Sequence, residues 1–406
     1  MIRSQAVVKT LQFTDRNKNN FLRFRQSRMS HDLHYAIEVA TSHTELSVHL
    51  APWQKLVTQS LEENVYLQPE FLIPAFEYRQ FNCVPLAIFI YEVRKHKRHL
   101  VMVAAFENCR STIRVPFAHL QSTAGQHGYL VRPMLHREGG AGAVQALLEW
   151  LADDNQDWKA VIFRHLCSQS PVSRLLLDQL ELHENSIMRY RTFKRAVLEG
   201  VDSFDEYLSI LPAKRRQDYR RNRRRLEAAG DVQIDCRVID DVNSDFADRF
   251  AMMERKSWKG AHSTALASSE SAHAFLCSIT ENFAVRRALY ACEIVLNGRS
   301  ISMSHNLLGT ETMFAFKIAF DAESRTFSPG IQLAIETVRS LLDDGIEKAD
   351  GGNAGDSFMS QLWPGQLQFE NVFMPVSLSS RLFAKMADQA TSFQHRNARI
   401  ASSTGA

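Results

Sequence analysis

The sequence predicts an α/β fold with α+β-style mixed sheets, built as two related domains. The chain has 406 residues, too many for one compact core and enough for two domains of ordinary size. Short β-rich apolar runs alternate with segments of helical spacing in a similar coarse order in each half, with no exact repeat. Asn297-Gly298 stands between two strand-like runs, a strong hairpin signal.

In the first half, Leu33 to Ala40 alternates as a strand. Trp53 to Asn64 repeats apolar residues at helical spacing, and Pro69 suits the first position of a further short helix. Pro85 to Tyr91 and Leu100 to Phe106 flank a charged segment and predict a hairpin. Ala141 to Ala152 places Val144, Leu147, Leu148 and Leu151 on one helical face. Ala160 to Phe163 reads as a strand, Val172 to Leu180 as a helix and Thr192 to Leu198 as a closing strand.

The second half opens with a helix from Ser203 to Leu211, where Glu206 stands three residues after its capping serine. A basic helix from about Pro212 to Ala229 ends at Gly230. Val232 to Val238 is a strand, and Phe246 to Trp258 and Ala272 to Ala284 are helices. Strands are expected over Ala288 to Leu296, Ser300 to Leu308 and Met313 to Phe320, then a helix from Pro329 to Asp343 and a strand near Ile346 to Asp350.

Composition narrows the function classes. Hydrophobic residues at 45% and charged ones at 23% are the balance of a soluble globular protein. A net charge of +3 excludes a polyanion binder acting through the whole surface, so any basic patch is local. The six cysteines have no short paired spacing, which argues against a disulfide framework and a thiolate zinc site, and no metal is expected. His31 and His34 lie three apart without a partner pair. No run reaches the ~20 apolar residues of a membrane span, and no secretory signal opens the chain, so a cytoplasmic protein is expected. Residues 1–29 read as a flexible basic arm, or as an extension upstream of a start at Met29, and 391–406 as a disordered tail. The domains are expected over 30–199 and 200–390.

The most informative segment runs from Phe314 to Leu333: a strand, a loop from Asp321 to Phe327, then Ser328-Pro329-Gly330-Ile331-Gln332 opening a helix. Ser328 is a favoured N-cap and Pro329 suits the first helical position. Gly330 lets a ligand approach first-turn amides that lack internal partners and carry the positive end of the helix dipole, which suits a pyrophosphate. A plain capped helix reads from the same residues.

Phe314 to Asp321 followed by Ser328-Pro329-Gly330 resembles the signature of bacterial CelD-type acetyltransferases, a branch of the GNAT superfamily often associated with cellulose or exopolysaccharide gene clusters. Ser257-Trp258-Lys259-Gly260, Thr264-Ala265-Leu266, Arg220 to Gly230, and Asp350 with Leu362-Trp363-Pro364 are similar to it as well. In the first half so are Ala51-Pro52-Trp53, Asn64 to Phe71 and the region after Leu130, so the resemblance spans roughly residues 45 to 390. It implies two tandem GNAT-like domains, as in Fem-type peptidoglycan aminoacyltransferases, with acetyl-CoA or another acyl-CoA bound by the second. The superfamily's usual coenzyme loop has two glycines after an Arg or Gln; here there is one, with Pro329 ahead of it. The first domain is expected to lack a coenzyme site, because no strand run leads into Gly139-Gly140 and Gly142.

Acyl transfer from a thioester to an amine requires that the amine lose a proton, that the carbonyl be polarised and that both be held close. Simple alternation puts Phe314, Phe316, Ile318 and Phe320 on one strand face and Met313, Ala315, Lys317 and Ala319 on the other. Lys317 then lines the cleft or is an exposed strand lysine. His305 is a candidate base or a packed core histidine. Glu254 is a candidate base or a helix carboxylate paired with Arg255 or Lys256. Trp258 is a ligand wall or a core aromatic, with Lys259 beside it. Asp321 and Asp350 end strands and are candidates for the acceptor, or turn residues.

Lys214 to Arg225 holds eight basic residues and one acid, Asp218. Arg216 and Arg220 are candidates for the coenzyme's phosphates or an acidic glycan. A solvated helix face is the plainer reading, and nucleic acid the least favoured, for want of charge elsewhere. The expected acceptor is a small molecule or a glycan, here an amino-sugar or similar amine. Transfer RNA is a minority partner, because Fem-type relatives use charged tRNA.

Overall fold

The computed structural model describes residues 9–11, 33–153, 156–182, 187–241, 245–256, 269–352 and 358–387. Trp258 and Lys259, most of the basic arm and the tail from 391 lie outside the described residues.

In chain order the strands are β1 Lys9–Leu11, β2 Leu33–Ala40, β3 Val84–Arg94, β4 Lys97–Cys109, β5 His119–Ser122, β6 Met134–Leu135, β7 Ala160–Cys167, β8 Met188–Leu198, β9 Val232–Ile239, β10 Leu289–Leu296, β11 Arg299–Leu308, β12 Thr312–Phe320, β13 Lys348–Asp350 and β14 Gly365–Pro375. The described helices are α1 His43–Ser47, α2 Leu50–Gln59, α3 Pro69–Glu77, α4 Gly140–Leu151, α5 Pro171–Leu182, α6 Phe204–Ile210, α7 Ala213–Ala228, α8 Phe246–Lys256, α9 Glu270–Val285 and α10 Pro329–Asp343. The fold is mixed α/β, of the class the sequence predicts.

The chain forms two compact units, 1–62 with 81–192 and 370–406, and 63–80 with 193–369. The sequence reading drew the boundary once, near residue 199. The units are discontinuous because segment 63–80 supplies Tyr66 and Phe71, whose rings meet Phe314, Phe275 and Phe316 of the second unit edge-on. Residues past 370 supply Val372, Met374 and Val376 to the core of the first.

In the first unit β2, β3 and β4 are antiparallel, and β5 pairs antiparallel with β4 and parallel with β7. Lys95 and His96 turn the β3–β4 hairpin with φ of 45° and 66°, the left-handed pair a two-residue turn demands. Strands β5 and β6 lie in line along β4, at Phe106–Cys109 and then Met102–Val103. They act as one strand interrupted by residues 123–133. Helices α4 and α5 bury Val144, Leu147, Leu148, Leu176 and Leu180 against Ile88, Ile90 and Phe106, each contributing about 1.5–3 kcal/mol of burial.

In the second unit β9 to β12 form an antiparallel meander, whose Asn297-Gly298 turn has φ of 51° and 75°. A crossover through α10 then sets β13 parallel to β12. Helices α6, α7 and α10 bury Tyr207, Tyr219, Leu226, Leu333 and Leu341 in a core with Tyr290 and Met313. Helices α8 and α9 pack on β10, β11 and β12 and on each other.

Candidate active site

The β12–β13 pair holds for only three residues, Thr312 to Phe314 against Lys348 to Asp350. Strand β13 then ends while β12 continues to Phe320. From Ala315 to Phe320 the edge of β12 has no strand partner on that side among the described residues.

Past β12 the chain is fixed by Asp321. Its carboxylate accepts the Glu323 N–H at 3.1 Å, capping a 3-10 turn over Ala322–Phe327, and meets Arg299 at 2.5 Å. Asp321 is 5% exposed, so it holds the loop and is spent for an acceptor. Ser328 follows in the left-handed region, φ 52°, and makes no side-chain cap. The expectation of a capping hydroxyl fails because Ser328 Oγ instead accepts from Asn222 Nδ2 at 3.2 Å. The Ser328 carbonyl takes the N–H groups of both Ile331 and Gln332 at 3.1 Å. Pro329 has no N–H. Gly330 thus keeps the first-turn N–H with no partner among the described residues. A Cβ at Gly330 would lie 3.2 Å from the Phe320 ring, so this cradle tolerates little bulk. Gln332 is buried and donates to the Phe327 carbonyl at 2.7 Å, and Ile331 packs into the core. Both shape the turn from behind.

Helix α7 runs beside it. Tyr219 donates to Glu336 at 2.5 Å and Arg223 meets the same carboxylate at 3.3 Å, while Asn222 reaches Ser328. Moving up α7 therefore means moving down α10, and the next α7 turn extends past the start of α10 toward the 3-10 turn it contacts. Burial and the Glu336 carboxylate push the Tyr219 hydroxyl up to about 12. Arg220, Arg224 and Arg225 are exposed. Arg216 is not available: its Nη1 donates to the carbonyls of Ser209 and Leu211 at 2.6 and 2.7 Å, closing the end of α6. The sequence reading of Arg216 as a ligand residue is corrected to a cap; Arg220 keeps its candidacy.

On the α8 face the alternation breaks. His305 pairs with Lys317, but Asn306 pairs with Ala315, so Phe316 is an extra residue. This bulge reverses which face each later residue takes. Lys317 joins the side of Phe314 and Phe316, with Nζ 5.4 Å from the Phe316 ring. Ile318 packs with Met313 and Ala315 into the core under α10, and Phe320 lies at Gly330. The predicted face assignment is wrong beyond the bulge. Its one hint in the sequence is the aromatic repeat, which alternation alone cannot distinguish from a regular strand.

His305 is fully buried between Phe246, Phe250 and Phe316, and bonds Thr280 Oγ1 through Nε2 at 3.0 Å. Burial lowers its pKa to about 3. The core alternative holds, because a ring packed among three aromatics with so low a pKa is too weak a base to take an amine's proton. Glu254 is 1% exposed, which corrects the picture of an exposed helix carboxylate. It continues the Phe246–Phe250 stripe of α8 at i+4 spacing, so Glu254, His305 and Lys317 gather on one side of the sheet.

Asp350 is spent on structure as well. Both its oxygens lie 3.3 Å from Nη1 of Arg195, and Oδ1 accepts the Gly352 N–H at 2.8 Å. Arg195, whose guanidinium stacks 4.4 Å over Phe369, went unnoticed in the sequence. Nothing distinguishes a wholly buried arginine from its exposed neighbours in an alternating strand.

The first unit has its own cavity, about 890 Å³, lined among others by Lys55, Arg94, His99, Arg137 and Gly139. Arg94 meets Glu92 at 2.6 Å, and Arg137 donates to the Thr58 carbonyl at 3.1 Å. Gly139 starts α4 with φ 84° and no side-chain cap. Strand β6 does lead into this glycine turn, contrary to the sequence reading, which missed two residues too few to show a period.

Residues 213–358 match the family model of an acetyltransferase (GNAT) domain. No curated protein matches the chain significantly. Among solved structures, FemX is similar at 11% identity and a TM-score of 0.55, over 82% of this chain and 96% of its own. A conserved protein of unknown function from Bacteroides thetaiotaomicron is similar at 11% identity and a TM-score of 0.52, over 80% and 97%. At these identities the likeness is one of fold. No described helix is long and apolar enough to cross a membrane. Residues 213–358 of the second unit are therefore similar to a GNAT acetyltransferase domain, and the chain shares its fold with FemX.

Proposed function

We propose that the chain transfers an acyl group, acetyl in the simplest case, from coenzyme A to an amine. The observation that carries this is the opening of β12 from β13 beside the uncapped start of α10. The residues present suit the coenzyme. Gly330 offers its N–H without a side chain in the way, and the dipole of α10 favours the diphosphate. Arg220 and Arg225, both exposed on α7, are the cations we assign to the outer phosphate. When bound, the coenzyme supplies an activated thioester.

Where β12 runs past the end of β13, its backbone N–H groups are assigned to the carbonyl oxygen where negative charge develops. As the amine nitrogen bonds to the acyl carbon and the C–S bond breaks, sulfur leaves as thiolate and the amine gives up a proton. We assign that proton to the Glu254 carboxylate, buried on the side of the sheet that carries Lys317, since His305 is too weak a base to take it. Lys317, on the same face, orients the acceptor. An amino-sugar of surface polysaccharide is the acceptor that the CelD-type resemblance supports. The row of exposed arginines favours a second reading, in which the acyl donor is a charged tRNA.

Calorimetric titration with acetyl-CoA separates the two: one equivalent bound supports the first, and no heat with retention of tRNA on a filter at low salt supports the second. Glu254→Gln is expected to keep acetyl-CoA binding while lowering kcat about 10²-fold or more. Unchanged turnover in that variant removes Glu254 as the base.

A further inference from the structure

Helices α8 and α9 bring together three side chains that the proposed reaction does not use. His273 and Cys277 stand one turn apart on α9, at the i, i+4 spacing that points two side chains the same way. Asp248 faces them from α8. Asp248 Oδ1 lies 3.0 Å from His273 Nε2, and Cys277 Sγ lies 3.7 Å from the same nitrogen. All three donor atoms fall within 4.8 Å of one another.

This is not a nucleophile relay. A relay needs the thiol on one ring nitrogen and the carboxylate on the other; here both meet Nε2. Convergence of oxygen, nitrogen and sulfur on one point is instead the arrangement of a coordination sphere. Zinc–sulfur bonds of about 2.3 Å and zinc–nitrogen or –oxygen bonds of about 2.0 Å at tetrahedral angles give edges of about 3.5 Å for S···N and about 3.3 Å for N···O. The two observed separations lie within about 0.3 Å of those edges. The side chains of His273 and Asp248 are 34% and 66% exposed, so an ion enters without opening the fold. Burial and the Asp248 and Glu281 carboxylates raise the thiol's pKa. Glu281 is one further turn along the same stripe.

We propose that Asp248, His273 and Cys277 bind a divalent ion of the zinc class, with one coordination position left for water or a ligand. Binding places the thiolate on the metal and releases its proton to solvent. The even scatter of cysteines along the sequence hid the site, because its ligands come from two helices and share no short motif.

The full chain, stripped with chelator, is titrated with Co²⁺ and then Zn²⁺. One equivalent of cobalt is expected to give a thiolate-to-cobalt charge-transfer band that zinc abolishes. Cys277→Ser is expected to lose the band, and Asp248→Asn, an exposed change, to weaken binding about tenfold or more. Cys83→Ser is expected to leave the band intact, which separates this site from the Cys83, Glu107 and Cys109 cluster. Absence of the band in the wild type overturns the proposal. So does a band that survives Cys277→Ser, or one that Asp248→Asn leaves at full affinity.

Discussion

Burial sorts the ionisable side chains into those that hold the fold and those free to act. His305 accepts no proton in the folded chain until about pH 3, whereas an unfolded chain takes one near its ordinary 6.5. Between those values the unfolded state binds more protons, so the contribution is complete above about pH 6.5 and is lost as pH falls. The slope is about 1.4 kcal/mol per pH unit. His305→Gln is expected to flatten the stability profile over that window; equal slopes in urea titrations of variant and wild type contradict the burial argument. Asp350→Ala strips Arg195 of its carboxylate in a site where the arginine side chain is 0% exposed, and is expected to cost about 3–5 kcal/mol. A loss under about 1 kcal/mol by chemical denaturation returns Asp350 to the list of acceptor ligands. At Gly142 an added Cβ would fall on the Tyr35 hydroxyl, so Gly142→Ala is expected to destabilise by about 1–3 kcal/mol.

At the level of elements, patterns several residues long were legible and those of two or three were not. Helix α10 has the predicted bounds, and β2 does too, because proline, glycine and steady periodicity mark their ends. Strands β1, β5, β6 and β14 were missed: three are too short to show a period, and β14 follows the last motif quoted, which ends at Pro364. The turn at Ser328-Pro329-Gly330 was legible as a place, but the role of each side chain was not. That role depends on Asn222 and Phe327, which come from other elements. Helix α7 shows the same division. Its basic run was plain, yet only packing separates Arg216, bonded to the carbonyls of α6, from exposed Arg220 and Arg225. Arg216→Ala is therefore expected to lower stability by about 1–3 kcal/mol with acetyl-CoA affinity retained in the folded fraction. Arg220→Ala and Arg225→Ala are expected to change stability by under about 0.5 kcal/mol and to weaken binding in a salt-dependent way. Calorimetry at two salt concentrations checks the pair, and the opposite assignment of effects refutes the packing argument.

Across the whole molecule, each unit carries a glycine-bearing helix start fed by a strand, and the two differ in what surrounds them. Gly330 follows a strand that opens from its neighbour, and α7 exposes Arg220, Arg224 and Arg225. Gly139 follows β6 and borders a cavity whose arginines already hold partners: Arg94 is on Glu92, Arg98 is on Glu38 and Arg137 is on the Thr58 carbonyl. A ligand entering the first unit must displace or share those bonds, whereas one entering the second meets the Gly330 N–H, which has no partner among the described residues, and exposed arginines. Acetyl-CoA is therefore expected to slow hydrogen exchange over residues 315–333 and 220–230 while leaving 136–145 unchanged. With ligand at 100 times its Kd, the stabilisation is about 2.7 kcal/mol, roughly a hundredfold slowing for amides that exchange by opening the site. Protection over 136–145 alone would move the coenzyme to the first unit, and with it the acyl transfer assigned to Glu254 and the edge of β12.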